Sequence, residues 1–248
     1  MKIYWPGTDI TKGDLVAHYE AIAGYLIPHL EGRPVHMHRF PGGIDGKHFY
    51  QRHAPAHLPD WIDTVVIESG DDSEHFVMCN NRESLLYLIN LGSIDLHPSM
   101  ARADSPDAPN WSIIDIDAKQ SDFKTAVKAA REVGKVLSGI SMVSCVKTSG
   151  GDGIHIGIPL EPDYSFAQSR MLAETICRVV AMQNSKSTTV ERNPSKRGRR
   201  VYLDYLQNAK GQTVVAPFVV RPRPGAPVSM PILWDVKTRL KCPLSELV

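Results

Sequence analysis

The chain has 248 residues, 42% hydrophobic and 22% charged, with a formal net charge of +1. That is globular composition with length for one large or two small domains. The near-zero balance excludes a polycation that meets nucleic acid through bulk charge, so any basic surface must be local. Cys79, Cys145, Cys177 and Cys242 are scattered without a Cys-x-x-Cys pair. Zinc-ribbon and disulfide-scaffold classes are therefore unsupported, and a reducing compartment fits. The start, Met1-Lys-Ile-Tyr-Trp-Pro6, lacks the apolar centre of a signal peptide, and no apolar run is long enough to span a membrane. The expected location is the cytoplasm, with no membrane partner.

In chain order, Thr11 to Leu30 reads as a helix: Thr11 is its N-cap, and Leu15, Tyr19, Ile22 and Leu26 recur at helical spacing. Pro34 to Phe40 alternates as a strand before the turn Pro41-Gly-Gly43. Trp61 to Glu68 reads as a strand, Ser69 to Ser73 as a polar turn and Phe76 to Cys79 as a short strand. A helix over Arg82 to Leu91 ends at Gly92, and for His97, which follows it, a simple loop residue is the plain reading. Ala103 to Asn110 is a Pro- and Asp-rich loop, and Ser112 to Asp117 a strand. A clean apolar stripe from Phe123 to Leu137, capped by Ser121 or Asp122 and stopped by Gly139, marks another helix. Ile140 to Lys147 and Ile154 to Leu160 are strands around the loop Thr148 to Gly153. Asp163 to Gln183 is amphipathic helix. Arg200 to Leu206 and Thr213 to Val220 are late strands around Asn208-Ala-Lys-Gly211. This mixture without strict βαβ alternation predicts an α+β or mixed-sheet α/β fold.

Ser112-Ile-Ile-Asp-Ile-Asp117 carries the sharpest chemical signal. On a strand, Asp115 and Asp117 share one face, while Ile114 and Ile116 face a core. Adjacent like charges are costly unless a cation lies between them, and a hard divalent ion such as Mg²⁺ or Mn²⁺ suits carboxylate ligands. A solvated edge strand is the other reading. Asp204, among the strand-type residues 201–206, is a third acid, and three such acids suit two ions about 4 Å apart and phosphoryl or nucleotidyl transfer.

Ser149-Gly150-Gly151-Asp152-Gly153-Ile154-His155 is a second constellation. Glycines let a backbone approach an anion. It is not a P-loop, since the Gly-Lys-Ser/Thr ending is missing, and a plain hairpin turn remains the alternative. Residues 191–200 hold five cations against one acid, and Arg221 and Arg223 follow. Such groups can neutralise a triphosphate or track a nucleic-acid backbone, or form a solvated loop. Lys2 and Lys12 accompany Tyr4 and Trp5, and Lys47 and Arg52 flank Phe49 and Tyr50, a pattern that suits phosphate contact plus base stacking. His36 and His38 alternate on a strand, but Arg39 beside them argues against a closed cation site.

Together the motifs resemble a known family. Trp5-Pro-Gly7, Thr11-Lys-Gly-Asp-Leu15, Gly32-Arg-Pro34, Arg39-Phe-Pro-Gly42, Ile94-Asp-Leu-His97, Asp115-Ile-Asp117, Lys147 to His155, Asp204-Tyr-Leu-Gln-Asn208, Thr213 to Pro217, Arg221 and Ala226 to Pro231 run through nearly the whole chain. They resemble the polymerase domain of ligase D-type non-homologous end-joining proteins, within the archaeo-eukaryotic primase superfamily. The resemblance implies a primase-like core with a mixed, largely antiparallel sheet flanked by helices, in a single domain over 1–248. It implies that Asp115, Asp117 and Asp204 are catalytic and bind two Mn²⁺ or Mg²⁺ ions. It places His97, Ser149, Gly150, Gly151, His155, Gln207 and Arg221 at the incoming nucleotide, and Lys2 and Lys12 at a downstream 5′-phosphate. Arg39, Phe49 and Tyr50 fall near the template, and Ser69 to Asn80 where the family has a loop that joins two DNA ends.

The resemblance also implies template-directed addition of nucleotides, with a preference for ribonucleotides, at gaps and breaks carrying a 5′-phosphate. NTP or dNTP would be the substrate and Mn²⁺ the more active ion. With no ligase or nuclease segment after Trp234, a stand-alone polymerase is expected, associated with the nucleoid and served by a separate ligase and end-binding protein. Two departures stand out: Asp152 where the family commonly has Lys, and His38 where a basic residue is frequent. A metal-dependent nuclease using the same acids, and a non-catalytic module that holds DNA ends, are the alternatives.

Overall fold

The computed structural model of the chain describes residues 2–69, 72–161 and 163–234. It divides into two compact units. Unit 1 comprises the described residues up to Pro106 with Thr213–Ser229, and unit 2 comprises Asp107–Gln212 with the described residues from Met230.

Unit 1 holds α1 (Lys12–Leu30), α2 (Arg82–Asn90) and strands β1 (Pro34–Arg39), β2 (Phe49–Gln51), β3 (Thr64–Ser69), β4 (Asp72–Met78) and β5 (Ser93–Pro98). Thr11 caps α1 as expected: its hydroxyl accepts from the Asp14 amide, and the Asp14 carboxylate accepts from the Thr11 amide at 2.8 Å. Leu15, Tyr19 and Leu26 turn inward from this helix. All strand pairings are antiparallel. One edge of β1 pairs with β5, and the other is shared by β4 at Pro34 and Val35 and by β2 at Met37 to Arg39.

Unit 2 holds β6 (Trp111–Asp117), α3 (Phe123–Gly139), β7 (Cys145–Thr148), β8 (Gly153–Pro159), α4 (Phe166–Gln183), β9 (Thr188–Thr189), α5 (Pro194–Arg197), β10 (Val201–Asp204) and β11 (Pro231–Ile232). The sheet order is β11-β7-β8-β6-β10-β9, antiparallel except for β9 with β10. Asp122 is the α3 cap, accepting from Thr125 N at 2.8 Å. One face of the sheet buries Ile114, Ile116, Ile154, Ile156, Val201 and Leu203 in the core shared with α3 and α4.

The mixed α/β class with antiparallel-rich pairing agrees with the expectation, although among the described residues the strands form two sheets rather than one. Several local readings need correction. His97 lies in β5, not in a loop after α2. Of the expected turn over Ser69 to Ser73, Ser69 ends β3 and Asp72 and Ser73 open β4, while residues 70–71 lie outside the described residues. Residues 140–144 are not strand, because Ser141 sits at φ +58° and turns the chain. Residues 213–220 make only isolated bridges, Ser99 to Thr213 and Val220 to Val228. Pro217 has no amide to donate, and Phe218 at φ +66° cannot continue a strand.

Candidate active site

The acidic strand β6 is interior, between β8 and β10, so the edge-strand reading fails. Antiparallel register sets Lys147 opposite His155, His155 opposite Asp115, and Asp115 opposite Asp204. A row of four polar side chains therefore crosses β7, β8, β6 and β10 on the face away from the core. Asp117, two residues beyond Asp115, shares that face and is opposite Gly153 and Tyr202. The three predicted acids are thus brought onto one surface.

Each acid has protein partners. Lys147 Nζ lies 2.9 Å from His155 Nδ1, and His155 Nε2 lies 3.4 Å from Asp115 Oδ1. An ammonium can only donate, so His155 accepts at Nδ1 and presents Nε2–H to the carboxylate. Asp117 Oδ1 accepts from the Lys119 amide at 2.8 Å, and Arg197 Nη1 stands 3.7 Å from Oδ2. Arg197 also lies over the Tyr202 ring at 3.7 Å. Asp204 Oδ1 accepts from Leu206 N at 2.8 Å, and Gln207 Nε2 approaches Oδ2 at 3.4 Å. Burial, then the Asp204 charge and hydrogen bond, push the Tyr202 hydroxyl pKa up, so it remains a donor to this carboxylate.

Three carboxylates on one face form a hard-oxygen donor set suited to Mg²⁺ or Mn²⁺. As the side chains stand, no group of three His, Cys, Asp or Glu among the described residues has metal-holding geometry. The acids are turned towards their protein partners instead.

The glycine loop is held from within. Ser149 Oγ accepts from the amides of Gly151 and Gly153, both at 3.1 Å, while Gly150 takes φ +69°. Two amides expected to face an anion therefore point at the serine. Gly153 is required by space: a Cβ there would lie 2.5 Å from the Ile116 carbonyl oxygen. Asn208, buried in the turn after β10, donates to the Ile113 carbonyl and accepts from the Ile113 amide, both at 2.7 Å. It thereby fixes β6 beside Asp115.

Unit 1 carries a separate polar cluster. His97 and Arg221 converge on Asp95, a buried acid that sequence reasoning missed: His97 Nε2 lies 3.3 Å from Asp95 Oδ2, and Arg221 Nε 2.9 Å from it. The overlooked signal was period two, Asp95 then His97, hidden by the loop assignment. His38 Nδ1 meets the same acid at 3.0 Å and stacks on Tyr50 at 3.9 Å. Tyr50 and Phe49 face opposite sides of β2, since Tyr50 pairs with His38 and Phe49 with Arg39. Arg39 lies 5.3 Å from the Phe49 ring centroid and donates to the Leu91 carbonyl. Lys2 and Lys12 come together because the Lys12 amide donates to the Lys2 carbonyl at 2.9 Å. Their ammonium groups reach the carbonyls of Pro41 and Asn90 respectively. Burial lowers the Lys12 pKa, and the Lys2 charge lowers it further.

The family described as LigD, primase-polymerase domain, matches residues 11–242. The chain belongs to this family. LigD primase-polymerase domains are nucleotidyltransferases of the end-joining type. Similar proteins include the bifunctional non-homologous end joining protein LigD of Bacillus subtilis (strain 168), 30% identical over 94% of this chain. The multifunctional LigD of Mycolicibacterium smegmatis is 27% identical over 94% of it. The chain spans 38% and 31% of the lengths of these two relatives. A solved structure, the polymerase domain of Mycobacterium tuberculosis ligase D in complex with DNA, shares the fold, with a TM-score of 0.88 over 99% of this chain and 90% of that one at 23% identity. No helix among the described residues of this LigD-type domain is long and apolar enough to cross a membrane.

Proposed function

We propose that this chain extends a primer on template DNA at gaps and broken ends by nucleotidyl transfer on the Asp115, Asp117 and Asp204 face. The observation that carries the reading is the register that puts Asp204 opposite Asp115, with Asp117 two residues along the same strand face. Three carboxylates sharing one strand face at that spacing suit divalent ions, which when bound would supply activation of the primer hydroxyl and charge neutralisation at the transferred phosphate. Asp115, Asp117 and Asp204 would hold them. His155, fixed by Lys147, keeps the Asp115 carboxylate oriented from the protein side. His97, Ser149, Gly150, Gly151, Gln207 and Arg221 are assigned to the nucleotide, with Asp152 an added negative charge that these groups must offset.

DNA bound by the Mycobacterium tuberculosis domain supports a DNA substrate here. A 5′-phosphorylated gap, a ribonucleotide preference, Mn²⁺ as the more active ion, and a separate ligase and end-binding protein complete the proposal. The test is primer extension on a gapped, 5′-phosphorylated duplex with NTP or dNTP and with Mn²⁺ or Mg²⁺. Template-directed addition, abolished by Asp115→Ala with Asp117→Ala, is expected. Extension that survives the double substitution rejects the metal assignment, and shortening of labelled DNA without nucleotides indicates a nuclease.

A further inference from the structure

Asp95 has no part in the reading above, yet it is a fully buried carboxylate. It lies in β5 opposite His38 of β1 and two residues before His97, so all three share one face. A buried carboxylate carries a heavy desolvation cost unless cationic or donor groups surround it. Here His38 Nδ1 approaches Oδ1 at 3.0 Å, while His97 Nε2 and Arg221 Nε approach Oδ2 at 3.3 and 2.9 Å. Burial pushes the Asp95 carboxyl up, but the His38 and His97 hydrogen bonds and the charges of His97 and Arg221 hold it below the ordinary range. The acid therefore stays ionised.

A carboxylate only accepts, so His97 must direct Nε2–H at Asp95, which fixes both its tautomer and its ring plane. Arg221 is anchored by Nε, which fixes the plane of its guanidinium. The backbone is tied as well: the Tyr19 hydroxyl donates to the Ile94 carbonyl at 2.6 Å and accepts from Val220 N at 3.0 Å, the residues just before Asp95 and Arg221.

We propose that Asp95 is a positioning residue for nucleotide binding, which sets the orientation of His97 and Arg221 through its two carboxylate oxygens. This rests on the proposed role of His97 and Arg221 at the nucleotide. The probes are kcat and KM for NTP in primer extension, ATP affinity by calorimetry with Mn²⁺, and affinity for a 5′-phosphorylated duplex. Asp95→Asn is expected to raise KM and weaken ATP binding by roughly tenfold or more, the scale of losing a buried charged partner, with duplex affinity unchanged. In a His97→Gln, Arg221→Gln background, adding Asp95→Asn should leave KM unchanged. In that background the two glutamines can still donate to residue 95 and Asp95→Asn strands no guanidinium, so it carries the test if the single variant fails to fold.

Unchanged KM in a folded Asp95→Asn variant, or a further rise in KM in the double background, overturns the proposal. If wild type extends no primer but binds ATP, and Asp95→Asn weakens that binding, the polymerase reading fails and this inference stands. If wild type binds no ATP, the inference falls too.

Discussion

Asp204 of β10 stands directly opposite Asp115 of β6 in the antiparallel ladder of unit 2. Like charges in cross-strand register destabilise a sheet, so the arrangement sacrifices stability in the metal-free chain. Asp204→Asn keeps an oxygen that can accept from Leu206 N while it removes one charge. Without divalent ions the variant should be more stable than wild type by about 0.5 kcal/mol, measured by denaturant unfolding in EDTA. Excess Mn²⁺ should stabilise wild type and not the variant, and incorporation should fall by roughly 100-fold or more. A less stable variant in EDTA, or one that extends normally, rejects this account.

Gly153 is the position where the loop cannot accept a side chain. The Ile116 carbonyl that a Cβ would meet at 2.5 Å is backbone of the acidic strand itself. Gly153→Ala must push β8 away from β6 beside Asp117, at a cost of roughly 1–3 kcal/mol and with loss of incorporation. Gly139, at the end of α3, has nothing within 4 Å of a built Cβ. Gly139→Ala should therefore be neutral or slightly stabilising. Thermal melts of the two variants side by side make the comparison.

The acidic face was legible because strand period two acts locally: Asp115 and Asp117 needed only their own neighbours, as did the Thr11 cap and the α3 stripe. Asp95 was not legible. Its meaning depends on Arg221, far away in sequence, and on His38 from another strand. Without those partners, an Asp and a His after a helix-ending glycine look like a polar loop. Arg197 was visible only as one of a run of cations. Its guanidinium donates to the carbonyls of Glu191 and Arg192, much as that of Arg200 donates to those of Arg197 and Lys196, and the fold singles it out by also setting it beside Asp117 and over Tyr202. The strand read over 213–220 failed for a local reason, the Pro217-Phe218 break, which apolar alternation outweighed.

His36 predicts an acid-sensitive limb. Burial, followed by the charges of Arg52, His97 and His53, lowers its pKa from 6.5 to about 4. The unfolded chain therefore takes up a proton near pH 6.5 that the folded chain refuses until about pH 4. The unfolded state binds more protons across that window, so stability is full above pH 6.5 and declines as pH falls through it. The limiting effect of this one group is roughly 3 kcal/mol. His36→Gln should flatten the decline between pH 6.5 and 4 in urea-unfolding midpoints. An unchanged slope would assign the acid limb to other groups.

Lys2 and Lys12 are paired by backbone before any ligand arrives. The Lys12 amide donates to the Lys2 carbonyl, and Ile3 bridges to Thr11. The Lys2 charge adds to burial in lowering the Lys12 pKa, so the two ammonium groups repel each other. Each donates to a neutral carbonyl, of Pro41 and of Asn90, and among the described residues neither ammonium meets a carboxylate. A terminal phosphate dianion would relieve the repulsion and exchange neutral acceptors for charged ones. Lys12→Ala should therefore weaken binding to a 5′-phosphorylated end by roughly tenfold, with little change for a 5′-hydroxyl end. The salt slope on the phosphorylated end should fall by about one unit. Fluorescence anisotropy across a salt series with both ends reads the two effects together. Equal losses on the two ends would mean that Lys12 contacts the DNA backbone in general and not the terminal phosphate.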